Sequence, residues 1–402
     1  MLNSSRNQET VLTFPPKRIC LIALASIIAC CLSVASRASS HHANVRGIVD
    51  AAIRPVMAEH DVPGMAVGII VDGEPFFFNY GVASTESNTP VSQFTLFELG
   101  SLSKAFTGTL VSYAQVLGKL SLDDSPGQYI PALRGSAIAR ASLLNLGTYT
   151  AGGLPLQFPD DILGDDAMIS YFREWRPNAA PGAQRRYSNP SIGLLGHIAG
   201  LALESKFFVA VESLLFPKLG LNHSHIHVPE NAMPDYAWGY NKVNKPVRVN
   251  PGMFDAQAYG VKSTASDMIR FVQANIDPTS LEEPIRRAIE GTHAGYFKIG
   301  DMVQGLGWEQ YPYPIGLERL QAGNSPAMSM EANAAQRIDP VRMASASVLF
   351  NKTGSTNGFG AYAAFVPEKK IGIVMLANRN FPIPARIKAA HEILEQLPPQ
   401  AR

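Results

Sequence analysis

Cysteine is nearly absent from the 402-residue chain, and its three cysteines, Cys20, Cys30 and Cys31, all lie near the N-terminus. The sequence after Cys31 therefore excludes a disulfide framework, a cysteine-ligated zinc site and a catalytic cysteine. An excess of charge of one sign is also absent, because 34 lysines and arginines face 33 aspartates and glutamates. This balance argues against a dedicated nucleic-acid-binding protein, which usually has a strong basic excess.

Long uncharged runs are scarce, and the one at residues 19–36, ICLIALASIIACCLSVAS, directly follows Lys17 and Arg18. Basic residues, an apolar stretch and then small residues are typical of a secretory signal peptide. We predict a signal peptide over residues 1–38, export to the periplasm and no stable membrane association after its removal. Two alternatives are an uncleaved anchor, since the run approaches the length of a membrane span, and lipidation of Cys30.

Hydrophobic residues make up 46% of the chain, which is enough to bury a sizeable core. Helical spacing predicts a helix over residues 45–59, and two strands, GMAVGIIV and EPFFFNYGVAS, are joined by a tight turn at Asp72-Gly73. A long helix is predicted within residues 97–118. Three strands, ASVLFNKTG, FGAYAAFVP and IGIVMLAN, and a last helix, ARIKAAHEILEQL, are predicted near the C-terminus.

Strands at both ends of the chain, with helices between them and no strand–helix alternation, predict an α+β fold. We expect an antiparallel sheet with flanking terminal helices plus an inserted, mostly helical lobe over residues 85–205. The active site is expected between the sheet and this lobe. No stretch resembles a linker, so residues 39–402 are predicted to form one catalytic domain of two interlocked lobes.

Three short motifs carry chemistry, and the first is Ser101-Leu102-Ser103-Lys104 at the start of the predicted long helix. Residues three apart share a helix face, and a serine at a helix N-terminus lies near backbone N–H groups and the positive end of the dipole. A buried ammonium beside it can prepare its hydroxyl to lose a proton. Taken alone, however, S-x-x-K more often marks an N-cap serine followed by a solvated lysine.

The other two motifs are Tyr187-Ser188-Asn189 and Lys352-Thr353-Gly354. A phenol beside ammonium groups has a depressed pKa and can act as a general base, while the asparagine amide can orient a carbonyl. Lys352 and Thr353 suit a carboxylate, and Gly354 removes a side chain where a substrate could lie along a strand edge. Each motif also has a purely structural interpretation. The first could be a buried aromatic residue with a turn-forming asparagine, and the second a strand that ends in a polar turn.

Together the motifs resemble the penicillin-binding proteins and serine β-lactamases, which share a catalytic S-x-x-K serine and a K-T-G strand, with Y-S-N here in place of S-D-N. Further similar stretches, such as DVPGMAVGI, FELGSLSKAFTGTL and KTGSTNGFGAYAAFVPEKKIGIVMLANRNFP, extend the resemblance over nearly all of residues 45–396. The chain most resembles class C serine β-lactamases, the AmpC-type cephalosporinases. This resemblance implies a periplasmic, monomeric hydrolase that opens β-lactam rings, cephalosporins best, without metal or organic cofactor.

By resemblance, Ser101 is the nucleophile that forms an acyl-enzyme, and Lys104 and Tyr187 transfer protons, with Tyr187 as the base for the deacylating water. Lys352 meets the substrate carboxylate and steadies Tyr187. The backbone N–H groups of Ser101 and Ser355 form the implied oxyanion hole, in which a donor is often worth about 3 kcal/mol. The other implied binding residues are Gln157, Asn189, Tyr259, Thr353 and Gly354.

The sequence departs from the family at Ile383, where many members have an asparagine that contacts the substrate carboxylate. Isoleucine cannot make that hydrogen bond, which leaves Asn380 and Arg386 as candidates to support the carboxylate. Rival functions on the same fold are a DD-peptidase or esterase and a penicillin-binding sensor that stays acylated. A sensor would be expected to have further membrane spans, for which the sequence shows no run.

Three alternating histidines, His223, His225 and His227, occur in the segment HSHIH. On a strand they would share one face, but no aspartate or cysteine nearby completes a recognisable zinc set. We therefore interpret the segment as a surface strand with polar alternation and predict no metal site.

Overall fold

A computed structural model describes residues 42–343 and 347–397. The predicted signal peptide and its three cysteines lie outside the described residues. The chain divides into residues 1–47 and a larger unit of residues 48–402, which contains all the strands described below.

Sixteen strands are found in the described residues, and ten of them form one antiparallel sheet. In chain order the strands are β1 Gly64–Val71, β2 Glu74–Ser84, β3 Thr89–Pro90, β4 Phe97–Glu98, β5 Gln184–Arg186, β6 Gly239–Tyr240, β7 Pro246–Val247, β8 Lys262–Ser263, β9 Ala294–Ile299, β10 Met302–Gln304, β11 Glu309–Pro312, β12 Ala332–Ala334, β13 Gln336–Met343, β14 Val348–Ser355, β15 Gly360–Val366 and β16 Ile371–Ala377. The large sheet has the order β13-β9-β10-β11-β14-β15-β16-β1-β2-β3, so strands from the two ends of the domain meet where β16 pairs with β1.

The helices surround this sheet and fill most of the middle of the chain. They are α1 over residues 42–59, α2 Lys104–Val116, α3 Pro126–Tyr129, α4 Leu143–Gly147, α5 Asp165–Glu174, α6 Asn189–Ala202, α7 Phe207–Ala210, α8 Phe216–Lys218, α9 Asp255–Ala258, α10 Ala265–Ile276, α11 Ile285–Thr292, α12 Leu317–Gly323, α13 Pro326–Met330 and α14 Ile383–Gln396. The predicted α+β fold class is confirmed, with the antiparallel sheet expected from the sequence. Helices α2 to α6 fall in the predicted lobe of residues 85–205, and helices continue beyond it to α11, which ends just before β9.

Two helices cover opposite faces of the central strands. A side chain at Gly372 of β16 would meet Val272 of α10, whereas one at Gly360 of β15 would meet Arg386 of α14. Gly360 is paired with Ala377, five residues along β16 from Gly372. Because neighbouring side chains on a strand alternate between faces, α10 and α14 lie on different sides of the sheet.

The first hairpin is local and follows from its turn. Asp72 and Gly73 have φ values of 52° and 83°, the left-handed conformation that a two-residue turn requires and that Asp-Gly favours. Strands β1 and β2 therefore have the predicted bounds. Strands β14, β15 and β16 and helix α14 also form where they were predicted.

Four strands at one end of the large sheet were not predicted from the sequence: β9, β10, β11 and β13. Strand β10 has only three residues, too few to show a period of two. Strand β13 contains Pro340 and lies at the sheet edge, where a residue without a backbone donor is tolerated. These strands exist because long-range pairing supports them, and local sequence gives little sign of them.

Among the described residues, no single helix is long and apolar enough to cross a membrane. Asn189–Ala202 and Phe207–Lys218 pass this test only as a pair, and that pair is bent by 73°.

Candidate active site

The first motif forms a tight turn rather than the start of a regular helix. Ser101 lies in a 3-10 turn, Gly100–Ser103, and α2 begins at Lys104. With three residues per turn, side chains at i and i+3 lie directly above each other. The Lys104 Nζ accordingly donates hydrogen bonds to Ser101 Oγ at 2.9 Å and to the carbonyl oxygen of Ala258 at 2.6 Å.

Lys104 is a buried amine with an altered acidity. Its side chain is 0% exposed, and burial disfavours the charged form. Burial, helped by the charge of Lys352 and opposed by Tyr187, lowers the pKa of Lys104 to about 8. Lys104 is therefore not the solvated lysine that a purely structural interpretation of the motif required. The amine beside Ser101 loses its proton far more readily than an ordinary lysine does.

Tyr187 follows β5 and lies between two ammonium groups. The Nζ atoms of Lys104 and Lys352 are 5.0 and 5.1 Å from the centre of its ring. Burial alone would raise the pKa of Tyr187, but Lys104 and Lys352 outweigh it and the net pKa is below the ordinary value. Its buried hydroxyl makes no hydrogen bond of good geometry with the described residues, although nearby Ser101 also favours the phenolate.

A buried carboxylate that the sequence analysis missed balances this charge. Glu309 on β11 accepts a hydrogen bond from Lys352 Nζ at 3.1 Å, and Arg185 Nη2 lies 3.6 Å from the same oxygen. Burial lowers the pKa of Lys352, but Glu309 and Tyr187 raise it more, so its net pKa is above the ordinary value. Arg185 was not predicted as a site residue either. It lies two residues before Tyr187 along an extended segment, and this spacing places both side chains on one side of the chain. The spacing alone could therefore have identified Arg185 as a neighbour of the site.

Two glycines allow the nucleophile turn and strand β14 to touch. A Cβ atom at Gly354 would lie 1.9 Å from the carbonyl oxygen of Leu99, and one at Gly100 would lie 2.4 Å from the backbone nitrogen of Ser355. Gly354 therefore makes room for the protein's own turn, which is a different reason from the substrate path predicted from the sequence. The contact brings the backbone of Ser355 beside the turn that carries Ser101.

Arg386 lies behind this strand. Its side chain is 0% exposed, and its Nη1 donates to the Gly354 carbonyl oxygen at 2.7 Å and to Ser355 Oγ at 3.0 Å. Its Nη2 donates to Asn380 Oδ1 at 2.6 Å, and burial lowers the pKa of Arg386 to about 9. Neither Arg386 nor Asn380 lines the cavities beside Ser101. Arg386 reaches the site through the end of β14, and Asn380 reaches it only through Arg386.

Two cavities meet at the nucleophile, because Ser101, Leu156 and Ser355 line both of them. The smaller, about 180 Å³, is also lined by Tyr187, Glu309, Lys352, Thr353, Gly354, Arg185 and Ile383. The larger, about 770 Å³, is also lined by Gln157, Asn189, Trp238, Arg248 and Tyr259. The motif side chains predicted to act or bind therefore line one of these two spaces, except Lys104, which is buried behind Ser101 and contacts its Oγ. A cationic region lies on one side of Ser101.

The side-chain amide of Asn189 has an acceptor that is free to bind a ligand. Asn189 is only 4% exposed, yet its Oδ1 has no hydrogen-bond partner among the described residues. An unpaired buried amide oxygen costs free energy, which a ligand N–H in the cavity would recover.

A separate cavity of about 580 Å³ near Arg270 and Lys370 contains none of the motif residues.

The histidine segment is not a strand, so the prediction of a surface strand is wrong. His225 makes one isolated bridge with Lys262, whereas the backbone nitrogens of Ile226 and His227 donate to Glu212 Oε1 at 2.6 and 3.0 Å. A carboxylate thus takes donors that a strand partner would have used. In the part of the chain that the structure describes, no cluster of histidine, cysteine or acidic side chains could hold a metal ion.

Comparison with known proteins identifies the family. The sequence model of the family described as "Beta-lactamase" matches residues 49–397. The chain belongs to the β-lactamase family. A β-lactamase from Pseudomonas fluorescens is 51% identical over 354 residues, which cover 88% of this chain and 99% of that protein.

Solved structures give the same class. A class C β-lactamase in complex with cefoxitin superposes with a TM-score of 0.86 at 47% identity, covering 89% of this chain and 99% of that one. A β-lactamase/D-alanine carboxypeptidase from Pseudomonas syringae has a TM-score of 0.87 at 47% identity, covering 88% and 99%. The resemblance to class C β-lactamases is confirmed, and the chain is an enzyme of that class.

Proposed function

We propose that this β-lactamase opens its substrate through an acyl-enzyme on Ser101. The observation that carries the proposal is the contact of 2.9 Å between Lys104 Nζ and Ser101 Oγ, made by a lysine whose burial lowers its pKa to about 8. With that pKa about a tenth of the lysine is neutral at pH 7, against about one part in 3,000 for an ordinary lysine. A neutral amine or a phenolate beside Ser101 supplies the base that a hydroxyl nucleophile needs.

In the acylation step, Ser101 Oγ forms a bond to the lactam carbonyl carbon and loses its proton to the Lys104–Tyr187 pair. The oxygen of the tetrahedral intermediate lies between the N–H groups of Ser101 and Ser355, which the close approach of turn and strand supports. The carbon–nitrogen bond of the ring then breaks, and the proton passes from the pair to the leaving nitrogen. No atom or electron from outside the substrate and these residues is required.

In the deacylation step, Tyr187 as phenolate accepts a proton from water while the water oxygen attacks the ester carbonyl carbon. The bond to Ser101 Oγ breaks, and the proton returns to that oxygen. Two neighbouring ammonium groups lower the pKa of Tyr187 and so stabilise the phenolate, which supports this tyrosine as the proposed base. The mechanism uses the same pair twice, as base and then as acid, and the chain's own residues supply every proton transfer.

We propose that substrates occupy both cavities. The ring carboxylate would lie in the smaller one near Lys352 and Thr353, held from behind by Arg386 and Asn380 through the end of β14. The amide of the acyl side chain would lie between Gln157 and Asn189, whose buried Oδ1 has no partner among the described residues. Tyr259 would pack on the substrate. Cephalosporins remain the proposed preferred class, on the resemblance to AmpC-type enzymes.

The cellular setting proposed from the sequence is a monomer in the periplasm after cleavage between Ala35 and Ala38. The basic pair and the apolar run at residues 19–36 support this proposal. Intact mass of protein recovered from the periplasm should show loss of the leader and no lipid. A mass that retains Cys30 with attached acyl chains would overturn cleavage at this place.

The mechanism is tested by following adducts with mass spectrometry while a cephalosporin is present in modest excess. The wild-type enzyme should consume the excess and return to the free form, and Ser101→Ala should form no adduct. Tyr187→Phe should lose turnover by about 10²–10⁴-fold, the usual contribution of a general base. Near-normal turnover in Tyr187→Phe would show that another group activates the deacylating water.

A second activity is suggested by two similar structures, described as a β-lactamase/D-alanine carboxypeptidase from Pseudomonas syringae and a D-alanine carboxypeptidase AmpC from Burkholderia cenocepacia. A peptide that ends in D-alanyl-D-alanine also carries a carboxylate beside its scissile amide, which suits the smaller cavity. Release of D-alanine from such a peptide, compared with cephalosporin turnover by the same preparation, measures this activity. An acyl-enzyme that persists for many minutes with several cephalosporins would favour the peptidase or sensor function over the hydrolase.

A further inference from the structure

The larger cavity contains one charged side chain among its described lining residues, and that side chain is Arg248. Its guanidinium lies against two aromatic rings, with Cζ 3.9 Å from the ring centre of Tyr236 and 4.2 Å from that of Trp238. Nε donates to the carbonyl oxygen of Ala237 at 3.3 Å, and Nη2 donates to that of Tyr236. Nη1 has no hydrogen bond or ion pair with any residue that the structure describes.

The segment around Arg248 is fixed by a buried carboxylate. Glu98 is 1% exposed, and its Oε1 accepts hydrogen bonds from the Tyr236 hydroxyl at 2.6 Å and from the backbone nitrogen of Val249 at 2.7 Å. These bonds hold both the ring beneath the guanidinium and the residue after it. Glu98 attracts Arg248 electrostatically, but it lines neither cavity, so a ligand meets the cation and not the carboxylate.

The fixed guanidinium of Arg248 has the properties of an anion-binding site. A guanidinium stacked on aromatic rings, with two N–H groups already bound, loses little side-chain entropy when it binds a further acceptor. Its remaining donors form charge-assisted hydrogen bonds with planar oxyanions, which are about twice as strong as neutral ones. The cavity joins Arg248 to Ser101, Gln157 and Asn189 in one space.

We propose that Arg248 makes the larger cavity select β-lactams whose acyl side chain carries an anionic group, a carboxylate or a sulfonate. The inference rests on the proposed function, because it places the acyl side chain in the larger cavity and the ring carboxylate in the smaller one. A neutral acyl side chain of the substrate contacts Trp238 and Tyr259 in this cavity. An anionic acyl side chain also binds the guanidinium of Arg248. A cationic side chain is disfavoured by the same charge.

Three penicillins that differ at one position test the proposal: benzylpenicillin, its α-carboxy derivative and its α-amino derivative. The quantity is kcat/KM, which reports steps up to acylation and is therefore insensitive to slow release. In Arg248→Gln the ratio of kcat/KM for the α-carboxy compound to that for benzylpenicillin should fall about tenfold, the worth of one charged hydrogen bond. The α-amino to benzyl ratio should rise. Arg248→Lys should retain only part of the anion preference, because lysine keeps the charge but loses the stacked planar donor.

Lys245→Gln is the matched control, because Lys245 is exposed in the same segment, carries the same charge and does not line the cavity. It should leave both ratios where the wild type has them. In the wild type, raising the salt concentration from 0.05 to 0.5 M should lower the α-carboxy to benzyl ratio by screening, a readout that needs no variant. Ratios in Arg248→Gln within twofold of wild type, or an equal loss on all three compounds, would overturn the proposal.

Failure of the proposed function would look different. If the wild-type enzyme is acylated at Ser101 by none of the three penicillins, the assignment of the nucleophile and its cavities falls. If it is acylated by benzylpenicillin but the ratios do not respond to Arg248, only the selectivity assigned to this residue is refuted.

Discussion

The most direct test of the site geometry is the substitution Gly354→Ala. The added Cβ would lie 1.9 Å from the carbonyl oxygen of Leu99, whereas a close carbon–oxygen contact is about 3.3 Å. The end of β14 and the turn that carries Ser101 must therefore separate by more than about 1 Å. Both groups in the clash are backbone or fixed to it, so rotation of a side chain cannot relieve it.

This separation acts on the proposed oxyanion hole, whose two donors would belong to the two elements that are forced apart. Loss of one such donor costs about 10²–10³-fold in kcat, and a 1 Å misplacement alone can cost about 10²-fold. We therefore expect kcat/KM to fall about 10²–10³-fold in Gly354→Ala. The same overpacking should lower the free energy of unfolding by about 1–3 kcal/mol.

Steady-state hydrolysis of a chromogenic cephalosporin measures the first effect, and urea denaturation followed by tryptophan fluorescence measures the second. The control is Gly316→Ala, since a Cβ at Gly316 meets nothing within 4 Å and Gly316 already has a φ of −66°. It should keep activity within about threefold and lose at most about 1 kcal/mol of stability. A folded Gly354→Ala enzyme with kcat/KM within tenfold of wild type would refute the argument that this contact positions the donors.

Three further outcomes are expected. Ile383→Asn should change KM more than kcat, by less than about 2 kcal/mol in kcat/KM, because one hydrogen bond to a charge has about that value; a collapse of kcat at constant KM would mean another role. Activity should survive dialysis against EDTA, because the proposed mechanism takes its nucleophile and base from Ser101, Lys104 and Tyr187, and a loss restored by zinc would contradict this. Burial lowers the pKa of His293 to about 4. Between about pH 6.5 and 4, His293 therefore binds a proton in the unfolded chain but stays neutral in the folded protein. Stability should fall between pH 6.5 and 4 by about 2 kcal/mol, discounted because the ring is partly exposed; an equal fall in His293→Phe would exclude the histidine as the cause.

What the sequence could predict was mostly local. Asp72 and Gly73 determine their hairpin through their own backbone preferences, and the spacing of Ser101 and Lys104 determines their contact through the geometry of one turn. The pairing of Tyr187 and Lys352 with them came from the resemblance to a family, because no physical rule gives the distance between groups so far apart in the chain. The four residues do lie together in the structure.

The failures have equally specific causes. Glu309 was missed because its position depends on β11 pairing with β14, where it lies opposite Asn351, and neither short strand sequence indicates that partner. The histidine segment was misread because alternation was taken as evidence of a strand, although Ser224 and the backbone beyond it bind Asp267 and Glu212 instead. Long-range strand pairing decided the first case, and two distant carboxylates decided the second.

The charge around Tyr187 shows why those distant residues matter to function. Lys104, Lys352 and Arg185 all lie within 5.4 Å of its ring centre, measured to Nζ or Cζ, and Glu309 is the carboxylate that contacts Lys352 and Arg185. Three cations against one anion leave two positive charges in excess in a site where such charges are poorly solvated. A Tyr187 phenolate and one substrate carboxylate would together neutralise them. The same imbalance that lowers the pKa of Tyr187 would therefore also attract the anionic substrate on which this proposed base acts.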